Sequence, residues 1–587
     1  MSARLDPIVF GVISSRLAGI VGEMQENIFR TGYSTIVRES QDASCMIMDA
    51  EGNVVGEQVV LPLHVAALPE VVRAVRRIHG DAIDPGDAYL TNHPYIAGVT
   101  HSVDMAVVTP FFYDGRLVAF CGSIAHKSDL GGMVPGTGSG NAREIFQEGI
   151  QYPPVRYMHA GRVVTDIEAI LRANSRTPEL VIGDVRGQVG VARLGERRLT
   201  ETIERYGIDA VLATFNEKQD RTEQRVRAAL RAWPDGVAEA EEFVDNDGIA
   251  LDVPVRYHVR VEKRGERIAF DFSASSDQTL GPINVRPSLA CGCVYYVLVA
   301  MADPTIENNG GLARAVETTF RPGSVLDPAF PAPTNNYMAT AISLTEAIVL
   351  ALSRLIGDRQ IAGVGGVGGG LSIAGRREDG RTFVEYESIG SAYGGRTAKD
   401  GVSGISVLLS NSRSAPIEIL ESEFPTRVRR FALIPDSGGP GEFRGGLGPE
   451  REYEVLAPAA QLTLRGGKHT IPATGIGGGA SGRLGACTLH PRTEQQRSLP
   501  SRFSGVALAA GDVLRIEKAG GGGLGAPQNR PFERVLDDVL DGYVSRAAAV
   551  SVYGTDAARL DGALAAWQHG TSGDAATPSI HDHGVAR

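Results

Sequence analysis

The segment from Thr100 to His126 constrains this chain more than any other. Apolar residues run from position 105 to 112, Asp114-Gly115 supplies a turn, and apolar residues resume from 117 to 120, which together spell a β-hairpin. Closing the hairpin brings position 126 back toward position 104. A strict two-residue turn puts Asp104 opposite Ala125, whereas one bulged residue puts it opposite His126, and alternation alone allows both registers. His101 is out of phase with Asp104 for a strand and belongs to the loop entering the hairpin, in keeping with the loop Asn92-His-Pro-Tyr-Ile-Ala-Gly98 just upstream.

Two imidazoles and one carboxylate leave coordination positions open on a divalent metal, which catalysis needs and a closed structural site avoids. His101, Asp104 and His126 are therefore the candidate metal ligands. Zinc, manganese and iron all suit this donor set. Two-histidine, one-carboxylate sites also serve non-heme iron oxygenases, but one hairpin carrying all three residues fits that class poorly. The plain alternative is a surface hairpin whose polar ends are satisfied by water or backbone.

A chain of 587 residues is too long for one hydrophobic core, and three or four structural units are expected. The formal charge of -11 offers no basic face to nucleic acid, and nucleic-acid binding is set aside. No stretch reads as a membrane span, and Met-Ser-Ala-Arg-Leu-Asp-Pro7 lacks the apolar core of a signal peptide, so no membrane partner is expected. Five sparse cysteines suit a reduced, cytoplasmic protein, with Cys291 and Cys293 read as core thiols in an apolar run. The 72 glycines gather in the second half and predict tight turns and bulges, since glycine reaches positive φ without steric cost.

Along the chain, Asp6-Pro7 opens a first helix that ends near Thr31-Gly32. A hairpin pattern from Cys45 to Val55 follows, with Asp42 placed directly before its first strand, where a side chain can reach into a cleft. A second amphipathic helix covers positions 68 to 78. The Gly-rich loop from Lys127 to Glu144 reads as a lid or ligand clamp, with disorder as its alternative. From Ala173 the sequence looks helical, with helical spacing over 184–208 and 211–232, and Arg176, Arg186 and Gln188 face either a site or solvent. After Pro234 the pattern turns to alternating β segments.

Gly363-Val-Gly-Gly-Val-Gly368 matches G-x-G-x-x-G as a string, but the following Leu-Ser-Ile is β-like, so it is rejected as a dinucleotide site. No phosphate-loop motif occurs. Pro531 begins a short helix stopped by Gly542, and Ser545 caps another. The expected fold is α+β and multi-domain: a mixed α/β metal-site domain over 1–235, a Gly-rich, β-dominated middle over 236–526, short helices over 527–568 and a disordered tail over 569–587.

These motifs combine into a family resemblance. Asp42-Ala-Ser-Cys-Met-Ile-Met-Asp49, Asn92-His-Pro-Tyr95, His101-Ser-Val-Asp104, Ala125-His-Lys-Ser-Asp-Leu-Gly-Gly132 and Asp436-Ser-Gly-Gly-Pro-Gly-Glu-Phe-Arg-Gly-Gly446 resemble the B subunits of ATP-dependent hydantoinases and 5-oxoprolinases. Gly520-Gly-Gly-Gly-Leu-Gly-Ala-Pro527 and Asp538-Val-Leu-Asp-Gly-Tyr-Val-Ser545 extend the likeness to about residues 5 to 555. The family is similar to one subunit of the acetone and acetophenone carboxylases.

The resemblance implies one divalent metal held by His101, Asp104 and His126, with Asp42 as a further ligand or as a catalytic base; a cap before the strand is the structural alternative for Asp42. It implies a separate A-type ATPase subunit that phosphorylates the substrate, which fits the missing phosphate loop. The expected activity is ring opening of a cyclic amide such as a hydantoin, oxoproline or lactam. A ketone carboxylase subunit is the alternative, and a non-catalytic scaffold is the third reading. Tyr95 and Ile96 depart from the polar residues of many relatives and bear on the substrate. The chain also lacks the extra length of the acetone carboxylase subunit, which favours the hydrolase branch.

Overall fold

The computed structural model of the protein describes residues 6–570 except 59, 358, 368 and 369. It is a mixed α and β, multi-domain fold. The first helix, α1 (Pro7–Thr31), begins where the sequence predicts: the Asp6 carboxylate accepts from the Ile8 and Val9 amides, and Pro7 occupies the first turn. After the short α2 (Thr35–Arg38) come β1 (Ala43–Asp49), β2 (Val54–Gln58), α3 (His64–His79), β3 (Ala88–Thr91), α4 (Pro94–Ala97), β4 (Asp104–Tyr113), β5 (Arg116–His126), β6 (Val155–His159) and β7 (Arg162–Val163). They form one seven-stranded sheet in the order β2-β1-β5-β4-β3-β6-β7.

Side chains alternate across this sheet with period two, and both faces are covered. Ala43, Cys45 and Ile47 of β1 meet Leu17, Val21 and Met24 of α1, together with the helices α6 (Pro178–Tyr206) and α7 (Ile208–Ala232), which follow α5 (Thr165–Asn174). Met46 and Met48 point the other way, against Leu68, Val71 and Val72 of α3. Each such aliphatic side chain contributes about 1.5–3 kcal/mol by leaving water. The face toward α3 also carries Ala106, Val108 and Ile124, so Asp104 and His126 share its parity and open toward the start of α3.

A four-stranded sheet follows, built from β8 (Gly236–Val244), β9 (Val255–Arg264), β10 (Arg267–Asp271) and β11 (Val316–Thr319) in the order β11-β10-β9-β8. Two apolar helices pack on it, α8 (Pro287–Ala302) and, after α9 (Gly310–Arg314), α10 (Tyr337–Ile356); the sequence reading assigned neither. On length and composition alone α1 and α10 would pass for membrane spans, a match that reading also missed. In the fold α10 is a core helix, with 78% of its apolar window buried, whereas 28% of that of α1 is buried, along the stripe it lays on the sheet. Cys293 lies in the α8 core as expected, whereas Cys291 is half-buried at a groove; all five cysteines are free.

The remaining strands are β12 (Gly370–Arg376), β13 (Thr382–Ser388), β14 (Ser391–Ala392), β15 (Ser403–Ile405), β16 (Thr426–Leu433), β17 (Pro449–Val455), β18 (Ala459–Arg465), β19 (Ala486–Leu489), β20 (Arg497–Leu499), β21 (Arg502–Ala509) and β22 (Val513–Glu517), with α11 (Ile417–Glu423) between β15 and β16. The sheets β13-β12-β18-β21 and β16-β17-β22-β19-β20 enclose a common core that includes Ile373, Leu462, Tyr453 and Leu514. The Gly363 string leads into β12 rather than into a helix, as its rejection as a nucleotide site requires.

Some glycines of this half, such as Gly357, Gly380 and Gly511, sit at positive φ as expected, and others play a different part. The amides of Gly520, Gly521, Gly522 and Gly523 bond in turn to the carbonyls of Arg483, Gly446, Gly363 and Ala480. Successive peptides thus face different neighbouring chains, and extended segments bundle around a central one. A Cβ at Gly521 would stand 2.0 Å from the Tyr393 carbonyl oxygen, and one at Gly522 2.2 Å from that of Thr474. Close backbone approach, not positive φ, is what excludes a side chain here.

At the C-terminal end α12 (Phe532–Leu540) and α13 (Arg546–Ser551) lie where the sequence places helices, and Ser545 caps the latter by accepting from the Ala548 amide. A further helix, α14 (Ala557–Gly570), runs into the first two residues of the expected tail. The rest of that tail lies outside the described residues.

Candidate metal centre

The β4–β5 hairpin turns through Asp114 and Gly115, both at positive φ (47° and 75°). A register shift beside Phe111 adds one residue to β5, and Asp104 consequently pairs with His126. Of the two registers open to the sequence, the bulged one is formed.

His101 enters from the loop before β4. Its Nδ1 donates to the Asn335 backbone carbonyl at 3.0 Å and to Asn335 Oδ1 at 2.7 Å. A carbonyl can only accept, so the proton sits on Nδ1 and the Nε2 lone pair is free to face inward. That Nε2 lies 3.1 Å from Asp104 Oδ1, and His126 Nδ1 lies 3.4 Å from the same oxygen. The three residues are buried and their ligand atoms lie within 4.8 Å of one another.

A fourth histidine, His64 at the start of α3, turns Nε2 to within 3.6 Å of Asp104 Oδ2, while its Nδ1 meets the Ser44 hydroxyl at 2.8 Å. The Thr100 hydroxyl also donates to Oδ2. Asp42 is held just before β1 by backbone bonding: its carbonyl accepts the His126 amide.

The donor atoms fit a divalent ion. His101 Nε2, Asp104 Oδ1, His126 Nε2, His64 Nε2 and Asp42 Oδ1 are buried without a hydrogen-bond partner among the described residues. Leaving so many polar atoms unpaired in one place is costly unless something joins them. The orphaned His101 Nε2 and Asp104 Oδ1 stand 3.1 Å apart and His126 brings its other ring nitrogen, Nδ1, to 3.4 Å of that oxygen, separations at which atoms can share one ion at bond lengths of about 2.0–2.2 Å. A second acidic group, Asp84, Asp87 and His159, lacks this property, because the Asp87 oxygens already accept from Tyr89, His159 and backbone amides.

Electrostatics agree with ligand-competent protonation states. Burial would raise the Asp104 carboxyl, but the imidazoles around it reverse this and hold it well below the usual carboxylate range. Burial holds His126 below its ordinary value against the pull of Asp104, which favours the neutral ring that binds metal. Burial pushes the Asp42 carboxyl up, partly opposed by His126.

Aromatic rings wall the centre: Tyr337 packs edge-on to His101 at 4.5 Å, and Tyr386 stacks on His126 at 4.8 Å. Asn335, Arg465 and Val367 line the same cavity as Asp42, His101 and His126. Glu148 accepts the Thr334 and Asn335 amides and so fixes the residue that orients His101; burial raises its carboxyl to about 8.

His64, Asn335, Tyr337, Tyr386 and Arg465 were not singled out from the sequence; a lone histidine opening an apolar helix reads as core, and the others lie more than two hundred residues from the hairpin. Three residues that could have faced a site do not. Arg176 pins the Gly-rich loop through Asp129, Gln188 is buried against Lys127 and the hairpin carbonyls, and Arg186 pairs with Glu168 at the surface. The loop itself is a packed wall with Asp129 and Thr137 at its heart.

Known proteins resemble this chain in sequence and architecture. Residues 6–527 match the family described as Hydantoinase B/oxoprolinase, and the chain belongs to that family. It is 31% identical over 579 residues, 95% of this chain and 97% of the other, to a protein of Pseudomonas sp. (strain NS671) provisionally named as the B subunit of a D-/L-hydantoinase. The crystal structure of the ATP-dependent caprolactamase from Pseudomonas jessenii superposes with a TM-score of 0.85 at 28% identity, covering 94% of this chain and 96% of that one. The acetophenone carboxylase delta subunit of Aromatoleum aromaticum is 25% identical over 94% of this chain and 86% of its own.

Proposed function

We propose that this chain is the metal-binding, B-type subunit of an ATP-dependent cyclic-amide hydrolase, working with an A-type ATPase subunit in a hetero-oligomer. The observation that carries the reading is the set of orphaned, buried donor atoms of His101, Asp104 and His126 in one cavity. Relatives named as subunits of a hydantoinase and a caprolactamase support the substrate class and the partner. Five free cysteines support a reduced, cytoplasmic setting.

His101, Asp104 and His126 would hold one zinc, manganese or iron ion. When bound, such an ion supplies a hydrolytic nucleophile near neutral pH. The chain's own groups do the rest. Asn335 fixes the His101 tautomer, and the rings of Tyr337 and Tyr386 restrict water around the two imidazoles. Asp42, whose carboxyl burial raises, is suited to accept a proton from the attacking water and to return it to the departing nitrogen. Phosphorylation by the partner makes the amide carbon reactive: attack by water forms the C–O bond, the ring C–N bond breaks as the nitrogen takes the proton that Asp42 returns, and a second water releases phosphate from the acyl phosphate left behind.

The test is the purified pair with ATP, divalent metal and a panel of hydantoin, 5-oxoproline and caprolactam. Phosphate release matched to ring opening on one of these is the expected result, and no release on any would end the reading. A ketone carboxylase subunit is the second reading, favoured by the acetophenone carboxylase relative. It requires labelled bicarbonate to enter an acid product made from acetone or acetophenone.

A further inference from the structure

The cavity beside the donor set contains a cation that metal binding leaves unused. Arg465 ends β18, is 6% exposed and lines the cavity together with Asp42, His101 and His126. Among the described residues no carboxylate forms an ion pair with it; its guanidinium meets the Asn335 carbonyl at a long 3.5 Å and lies 5.1 Å from the centroid of the Tyr386 ring. Two comparably buried arginines are balanced: Arg451 pairs with Glu387, and Arg530 pairs with Asp400 and Asp538. Glu148 is near enough to feel the charge and the Tyr386 side chain bonds to it, but neither forms an ion pair with it, and a buried guanidinium without one is unfavourable unless a ligand completes it.

The surroundings are shaped around the flat group. A Cβ at Gly138 would stand 2.5 Å from the guanidinium carbon, and one at Gly370 2.5 Å from a guanidinium nitrogen. Glycines from the 127–144 loop and from the start of β12 thus leave the space that the side chain fills. Arg465 also touches one partner of each imidazole: Asn335, which orients His101, and Tyr386, which stacks on His126. The fork is therefore one residue removed from the donor set on two sides.

We propose that Arg465 binds an oxyanion on the substrate, a phosphoryl or carboxylate group that its fork grips through two oxygens. The proposal rests on the metal-site hydrolase reading and names the chemistry its substrate must carry. Two sources supply such a group. One is the phosphoryl placed on the amide oxygen by the ATPase subunit, and the other is a carboxylate borne by the ring, as in 5-oxoproline.

Calorimetric titration of the metal-loaded chain, without partner or ATP, tests this. Wild type, Arg465→Met and Arg465→Lys are titrated with inorganic phosphate, with 5-oxoproline and with 2-pyrrolidone as an uncharged lactam, and the metal content of each protein is measured. Phosphate binding that weakens about tenfold or more in Arg465→Met and recovers in part in Arg465→Lys, at equal metal content, assigns the phosphoryl source. The same dependence for 5-oxoproline but not phosphate assigns the carboxylate, and dependence for both supports the shared chemistry. No anion binding by wild type, or binding that neither substitution changes, overturns the proposal. Should Arg465→Met not fold, Arg465→Lys decides alone, because it keeps the charge and loses the fork. Failure of ATP-dependent ring opening would leave these binding results standing, so the two readings fail separately.

Discussion

Asp104 and His126 face each other as a cross-strand pair, with Asp104 Oδ1 3.4 Å from His126 Nδ1, because one extra residue in β5 shifts the hairpin register. The bulge sets the spacing of the donor set. Replacing His101 and His126 together by alanine is expected to abolish metal binding, whereas wild type purified without chelator retains about one equivalent. Elemental analysis of both proteins checks this, and equal content would remove His101 and His126 as ligands.

Asn335 acts on the centre through His101. Asn335→Ala is expected to weaken metal affinity about 10–100-fold, since the tautomer and ring orientation are then set by the backbone carbonyl alone. Competition with a chromogenic chelator measures it.

Asp42 lines the cavity of the donor set and lies outside the tightest donor group. Asp42→Asn is expected to keep the metal and to lower ATP-dependent turnover about a hundredfold with little change in KM. Loss of metal from this variant would make Asp42 a ligand instead.

Glu385 gives the fold a pH dependence of its own. Burial pushes its carboxyl up to about 7, opposed by the hydroxyl that Thr426 donates. Between its ordinary value of 4.5 and 7 the folded chain holds a proton that the unfolded chain releases. Its contribution to stability is complete below pH 4.5 and is lost as pH rises through 7. Thermal melts across this range should show a shallower fall for Glu385→Gln than for wild type.

The two kinds of glycine should answer differently to a methyl group. Gly522→Ala drives a Cβ into the Thr474 carbonyl and is expected to cost about 3 kcal/mol or more. Gly190, exposed in α6 with open space around it, should gain up to about 1 kcal/mol on becoming alanine. Denaturant midpoints compare them.

Features settled within a few residues were legible in the sequence. Asp6-Pro7 starts α1, Asp114-Gly115 turns the hairpin, and Ser545 caps α13, because caps and turns are satisfied by neighbours in the chain. That His101, Asp104 and His126 come near one another was legible because they flank a single hairpin, whereas the register that pairs Asp104 with His126 was not. Tertiary structure decided the rest. It chose the bulged register, and it brought His64, Asn335, Tyr386 and Arg465 to the centre from elements whose local patterns carry no sign of one another. It also gave the glycines their meaning: whether a missing side chain serves a turn or a backbone contact depends on what packs against it, and that neighbour comes from far along the chain.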